Sequence, residues 1–130
     1  MSLTIQALTI DAKDPDALAE FWARVLDHEI TYRSADDDEE REVAISDPGG
    51  RGWDLLFLKV DDKKVVKNRY HLDLRPDDQD AEVERVIGLG AEKVDIGQGT
   101  EVTWVVLADP EGNEFCILRP LTPEELASAS

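Results

Sequence analysis

The chain has 130 residues, with 14 Lys and Arg against 30 Asp and Glu, so its formal net charge is −16. That excess of anions excludes general nucleic-acid binding and adhesion to an anionic membrane surface, both of which need clustered cations. At 42% hydrophobic residues the chain can build a packed core, its one Cys makes no intramolecular disulfide, and no apolar run approaches the roughly 20 residues of a membrane span. No signal-peptide pattern opens it, and the expectation is a soluble protein of a reducing cytoplasm.

In chain order, Leu3–Asp11 alternates and predicts a strand. Asp14 then offers an N-cap, Pro15 suits the first helical position, and Leu18, Phe21, Trp22 and Val25 make a helical apolar stripe. His28 sits just past this helix, where a cation suits the negative end of the dipole, so it is read as a surface cap. Strands are predicted over Glu29–Arg33, Glu42–Ser46 and Trp53–Val60. Asp36–Glu40 between them is read as a solvated, mobile hairpin loop.

Asp61–Lys67 reads as a linker. A second strand–helix pair follows, with Tyr70–Arg75 as the strand, Asp78 as the cap and Val83, Val86 and Ile87 as the stripe. Gly88 and Gly90 are expected to stop that helix. Strands are predicted over Lys93–Ile96, Thr103–Leu107 and Glu114–Leu118, and Leu121–Ser130 is a tail with a Thr-Pro-Glu-Glu helix start.

The order is therefore β-α-β-β-β, twice. Residues 7–30 lie over residues 71–94 without a gap, matching Leu8 to Leu72, Asp14 to Asp78 and Ile30 to Val94. Asp47-Pro48-Gly49-Gly50 echoes Asp109-Pro110-Glu111-Gly112. The expected organisation is one domain over 1–130, with module one at 4–60, linker 61–67, module two at 68–120 and tail 121–130.

Lys67-Asn68-Arg69-Tyr70-His71-Leu72-Asp73-Leu74 resembles the KNRxHLDL signature of glyoxalase-like domain proteins. Ala108–Cys116 and the run from Asp14-Pro15 to Phe21-Trp22 resemble further motifs of the same family. These lie within the vicinal oxygen chelate superfamily, which holds glyoxalase I, bleomycin-resistance proteins and extradiol dioxygenases. The resemblance covers about residues 4–119. It implies an α+β fold in which tandem βαβββ modules form a curved mixed sheet around a cleft, with helices outside.

Metal enzymes of that superfamily take one ligand from the first and one from the last strand of each module. Those positions fall on Ala7 and His71, on Cys116, and on either Asp54 or Leu56 according to alignment. The quartet is thus broken. No cofactor is expected, and a divalent metal, if present, would take His71, Cys116 and Asp54.

The residues themselves place Arg69, His71, Asp73 and Arg75 on one face of a strand by period two, with Tyr70, Leu72 and Leu74 on the other. His71 and Asp73 are the catalytic candidates, because imidazole titrates near neutrality. The alternative role for His71 is a structural hydrogen bond to Asp73. Arg69, Arg75, Trp53, Trp104 and Cys116 are the ligand-binding candidates. Aromatic walls suit a small-molecule cleft, although Trp53 and Trp104 equally suit a core and Cys116 can be a small buried hydrophobe. Lys59, Lys63, Lys64, Lys67, Arg69 and Arg75 cluster at the module junction and favour an anionic ligand or a stabilised linker.

Two function classes stand open. One is a binder that sequesters a small organic molecule in the inter-module cleft and is not an authentic metal-dependent glyoxalase I. The other is a lyase, isomerase or dioxygenase relative using His71, with or without a metal. The expected partners are a small-molecule ligand and a second copy of the chain in a homodimer, with no nucleic acid and no membrane.

Overall fold

Asp14 and Asp78 start the two principal helices, and each does so in the same way. The Asp14 carboxylate accepts the Ala17 amide at 3.2 Å and the Asp78 carboxylate accepts the Ala81 amide at 3.1 Å, which satisfies a donor that a helix start otherwise leaves open. The computed structural model describes residues 5–61, 65–66, 70–94 and 102–128. The chain divides into two compact units between Lys63 and Lys64, inside the 61–67 segment.

The first unit runs β1 (Ala7–Ala12), α1 (Pro15–Leu26), β2 (Glu29–Arg33), β3 (Glu42–Ser46) and β4 (Asp54–Lys59). Its sheet order is β1-β4-β3-β2, with β1 parallel to β4 and the other pairs antiparallel. Helix α1 packs on β3 and β4. The predicted stripe of Leu18, Phe21, Trp22 and Val25 is buried, as are Val43, Ile45, Leu55 and Phe57 on the strands beneath. Phe21 and Trp22 meet edge to face at 5.3 Å, a favoured aromatic geometry. The expected β1 began at Leu3, but pairing starts at Ala7 opposite Asp54, and residues 1–4 lie outside those described.

The second unit repeats this plan: β5 (Asp73–Leu74), α2 (Gln79–Leu89), β6 (Glu92–Lys93), β7 (Val105–Ala108), β8 (Glu114–Ile117) and then α3 (Pro123–Ser128). Its order, β5-β8-β7-β6, matches the first sheet strand for strand. Val83 and Val86 of α2 are buried, with Val106, Leu107, Phe115 and Ile117 on the strands. The α+β, twice-βαβββ architecture expected from sequence is the one present.

Several local expectations need correction. Gly88 lies within α2, and only Gly90, at φ 123°, ends it. Gly90 does so because its backbone conformation is one that side chains resist. Helix α1 ends instead on Asp27 in the left-handed region, and His28 beyond it is half-buried, not a surface cap. The His28 Nδ1 has no hydrogen-bond partner among the described residues. Tyr70, expected to share the face of Leu72 and Leu74, is 85% exposed while they are half-buried, because the strand proper begins only at Asp73, where pairing with β8 starts. β6 stops at Lys93, short of the expected Ile96, and residues 95–101 lie outside those described.

The two Asp-Pro-x-Gly segments fold into equivalent turns. Asp47 accepts the Gly49 amide at 2.9 Å through its side chain, and the Gly50 amide reaches the Asp47 carbonyl at 2.9 Å. Asp109 accepts the amides of Glu111 and Asn113 at 2.9 and 3.0 Å, and Gly112 closes on its carbonyl at 2.9 Å. Gly50 and Gly112 both take positive φ, which this turn requires. The Gly49 hydrogen bond, then the partnership with Arg51, hold the Asp47 carboxyl below the usual carboxylate range against the effect of burial.

Arg41, to which the sequence pattern assigned no role, is a buried cation. Its guanidinium grips Asp16 of α1 with two bonds, Nε at 3.0 Å and Nη2 at 2.8 Å, and also donates to the Ser34 carbonyl. Arg33 reaches the same Asp16 carboxylate. The Arg41 hydrogen bonds first, and then the charges of Arg41 and Arg33, lower the Asp16 pKa despite partial burial. This network ties the start of α1 to the β2–β3 hairpin, and forked pairing of this kind is what Arg supplies and Lys does not.

Candidate functional site

The parallel pairing of β5 with β8 puts Asp73 opposite Cys116. Alternate residues of β8 divide sharply: Phe115 and Ile117 are buried, while Cys116, on the other face, is only half-buried. His71 precedes Asp73 by one period and shares its face, so the sheet collects three donors of different chemistry. One ligating atom from each of His71, Asp73 and Cys116 lies within 4.8 Å of the others. The His71 Nε2 stands 3.2 Å from Asp73 Oδ1, and the two side chains are 51% and 52% exposed.

Backbone bonds hold this patch in place. The Cys116 amide donates to the Leu72 carbonyl at 2.9 Å and the Leu118 amide to the Leu74 carbonyl at 2.8 Å, fixing the strand on each side of Asp73. Leu72 and Leu74 are half-buried and alternate with the exposed His71, Asp73 and Arg75, the alternation that period two predicts.

The other candidates sit on separate elements. The Arg75 guanidinium donates to the Arg119 carbonyl at 2.7 Å, so part of its donor set is spent on the end of β8. Trp104 leads into β7 two residues before Val106, the cross-strand partner of Cys116, and is 39% exposed. Trp53 precedes β4 in the first unit and is 50% exposed. Both tryptophans are therefore far from the fully buried state that Trp22 shows. Arg69 lies outside the described residues, with Lys63, Lys64 and Lys67. Lys59 makes a long bond of 3.4 Å from Nζ to the Lys13 carbonyl.

Register also decides which residue of the first unit corresponds to Cys116. The helix caps Asp14 and Asp78 align under the ungapped superposition of the halves, and that superposition matches Ala7 with His71 and Thr9 with Asp73. Thr9 pairs with Leu56 in β4, as Asp73 pairs with Cys116 in β8. Leu56 is thus the counterpart of Cys116, whereas Asp54 stands opposite Ala7, two residues earlier. Buried neighbours agree, since Leu55 and Phe57 correspond to Phe115 and Ile117.

These residues do not fit a centre of the kind the superfamily's metal enzymes build from both modules. Ala7 and Leu56 carry no donor, and Cys116 supplies a thiol where a hard octahedral ion prefers oxygen. What the second unit does hold is an exposed imidazole and carboxylate beside a half-buried thiol, with their ligating atoms close together. Sequence periodicity put His71 and Asp73 on one face and Cys116 stood out as the only thiol, but neither showed that Cys116 stands opposite Asp73, because strand register is a tertiary property.

The glyoxalase-like domain model matches residues 7–118 of the chain. No curated protein matches it. Among solved structures, the fosfomycin resistance protein FosX from Mesorhizobium loti is 19% identical, with a TM-score of 0.69, over 98% of this chain and 99% of that one. FosX from Listeria monocytogenes, in a complex with Mn(II) and 1S,2S-dihydroxypropylphosphonic acid, is 18% identical at a TM-score of 0.72, over 98% and 99%. TnmS3, an antibiotic-binding protein from a Streptomyces species, is 20% identical at a TM-score of 0.58, over 93% and 99%. At these identities the neighbours establish the fold, and the family match over most of the chain, joined to the duplicated βαβββ plan, makes this protein a member of the glyoxalase-like domain family within the vicinal oxygen chelate superfamily.

Proposed function

We propose that the protein binds a small organic molecule on the face of the second unit that carries His71, Asp73 and Cys116, with Arg75 and Trp104 at its margins, and that it is not a metal-dependent glyoxalase I. The observation that carries this reading is the asymmetry of the duplicated positions. Ala7 and Leu56 stand in the first unit where His71 and Cys116 stand in the second. A half-exposed imidazole–carboxylate pair beside a thiol offers donors, acceptors and a soft contact to a ligand. Trp104 adds an aromatic surface, which supplies much of the binding energy in small-molecule sites. The neighbours support the class: one FosX structure holds a dihydroxylated phosphonate, and TnmS3 is described as antibiotic-binding.

A second reading, an enzyme that uses His71, is favoured by the 3.2 Å contact of His71 Nε2 with Asp73. A carboxylate there orients the ring, and a general base needs such positioning. We further read the chain as a cytoplasmic homodimer. No described helix is long and apolar enough to cross a membrane. Light scattering giving the mass of a single chain would refute the dimer.

Fosfomycin and bleomycin are suitable first probes, followed by native mass spectrometry of whatever small molecule the purified chain retains. The binding reading expects saturable binding, quenching of Trp104 fluorescence, and loss of affinity in His71→Ala. A bound molecule recovered unchanged after long incubation supports sequestration, and turnover that vanishes in His71→Ala supports the enzyme. Ligand bound with equal affinity by His71→Ala, Asp73→Asn and Cys116→Ser would remove this face from the site.

A further inference from the structure

We propose that Cys116 is a nucleophile for covalent capture, with His71 as its base and Asp73 as the group that orients the ring, and that its substrate class is a planar conjugated ketone of the enone type. The inference deepens the small-molecule reading and rests on it, naming the chemistry by which this face holds its ligand.

Strand register supplies the arrangement. Cys116 is the cross-strand partner of Asp73, and His71 lies one strand period before Asp73. One nitrogen, oxygen or sulfur atom from each of the three side chains falls within 4.8 Å of the others. A nucleophile and its base work at hydrogen-bond distance, so roughly 1–2 Å of closure remains, and such contacts commonly tighten only when a substrate is in place. The His71 side chain is 51% exposed and has room to turn, while the Cys116 strand is anchored through its amide to the Leu72 carbonyl. His71 Nε2 stands 3.2 Å from Asp73 Oδ1. The carboxylate therefore keeps the Nε2 proton and leaves Nδ1 as the basic nitrogen. A nucleophile beside a base that a third group orients is the pattern of an activated thiol.

The same surroundings select the electrophile. The thiolate is the reactive form of cysteine, and its soft sulfur suits a polarised carbon–carbon double bond. Acyl transfer is a poorer match, because it needs donors for an oxyanion beside the sulfur, and the amides of Cys116 and Leu118 are already bonded to the Leu72 and Leu74 carbonyls. In the addition, His71 takes the thiol proton and sulfur bonds to the β-carbon as the C=C π bond breaks. The electron pair moves to the carbonyl oxygen as an enolate, where Arg75 N–H groups other than the one spent on the Arg119 carbonyl can meet it. The imidazolium then returns the proton to the α-carbon. Nothing leaves, and no co-reactant is consumed. Trp104 leads into β7 two residues before Val106, the cross-strand partner of Cys116, and its aromatic face favours a flat conjugated substrate.

The test incubates the full chain with benzylideneacetone, a planar aryl enone, and with methyl vinyl ketone, which has no ring, taking N-acetylcysteine at the same pH as the reference thiol. Intact-mass spectrometry should show one adduct per chain, heavier by the whole mass of the enone, and peptide mapping should place it on Cys116. The rate should saturate with benzylideneacetone and exceed that of N-acetylcysteine by at least about a hundredfold, the low end of what a positioned base contributes. His71→Ala should remove that advantage, and Asp73→Asn should reduce it by about tenfold or more, because the ring loses the group that fixes it. Trp104→Leu should narrow the preference for the aryl enone over methyl vinyl ketone by about three- to tenfold. The comparison with N-acetylcysteine uses the unaltered chain, so a variant that misfolds does not decide the outcome. An adduct formed no faster than with N-acetylcysteine, an unchanged rate in His71→Ala, or an adduct on another residue would each overturn capture by Cys116. Reversible binding of benzylideneacetone that His71→Ala abolishes, with no adduct, overturns the covalent step alone and leaves the binding reading standing.

Discussion

Asp73 stands directly opposite Cys116 across the parallel β5–β8 pair, while the residues on either side of Cys116, Phe115 and Ile117, are buried on the reverse face. A single strand therefore serves packing and the candidate site by turns. Phe115→Ala should cost about 3–5 kcal/mol, the usual loss for a buried aromatic. Cys116→Ala should stay within about 1 kcal/mol, because its side chain fills no core position. Urea denaturation of both variants checks the contrast, and equal costs would mean that Cys116 is a core residue.

The Asp109 turn is built around a buried carboxylate that receives the amides of Glu111 and Asn113 and the Asn113 side chain. Asp109→Ala leaves those donors without their acceptor and should lower stability by about 2 kcal/mol. Asp109→Asn, which keeps one acceptor oxygen, should lose less. The matching change at Asp47 should also be milder, since water reaches the exposed Gly49–Arg51 segment.

Two glycines of one helix should respond in opposite directions. Gly88 lies inside α2, and a Cβ added there meets nothing within 4 Å, so Gly88→Ala should stabilise by about 0.5–1 kcal/mol through helix propensity and backbone entropy. Gly90 has φ 123°, and Gly90→Ala should destabilise by about 1–3 kcal/mol through strain. Thermal unfolding of the two variants decides between this reading and one in which both glycines end the helix.

Acid should release the last helix first. Glu125 accepts the Arg119 guanidinium at 2.7 and 3.1 Å and the Thr122 amide at 3.0 Å, while Thr122 Oγ1 accepts the Glu125 amide at 3.1 Å, a reciprocal cap for α3. The Arg119 bonds, then the Thr122 amide, lower the Glu125 pKa from 4.5 to about 2. A carboxylate depressed on folding contributes stability that is present above its unfolded value and is lost as pH falls through the folded one. Amide exchange at Leu126, whose N–H bonds to the Thr122 carbonyl, should therefore stay protected at pH 5 and accelerate between about pH 4.5 and 2. Glu125→Gln should abolish that pH dependence, and a dependence that survives the change would assign it to other carboxylates.

The amino-acid pattern by itself determined the element order, because each signal is local. The Asp14-Pro15 and Asp78 caps, the α1 stripe and the strands Glu29–Arg33 and Glu42–Ser46 all follow from a few neighbouring residues and their periodicity. The duplication was also legible, since Asp14 and Asp78 align without a gap. The tertiary structure alone decided what depends on pairing between distant segments. The Thr9–Leu56 and Asp73–Cys116 registers chose Leu56 over Asp54 as the counterpart of Cys116. Arg41 became a buried clasp on Asp16 only when β3 met the start of α1. Tyr70 became exposed because the pairing with β8 begins after it. Backbone propensity reaches along a turn or two of chain, whereas register and burial are set by contacts that the chain must fold to make.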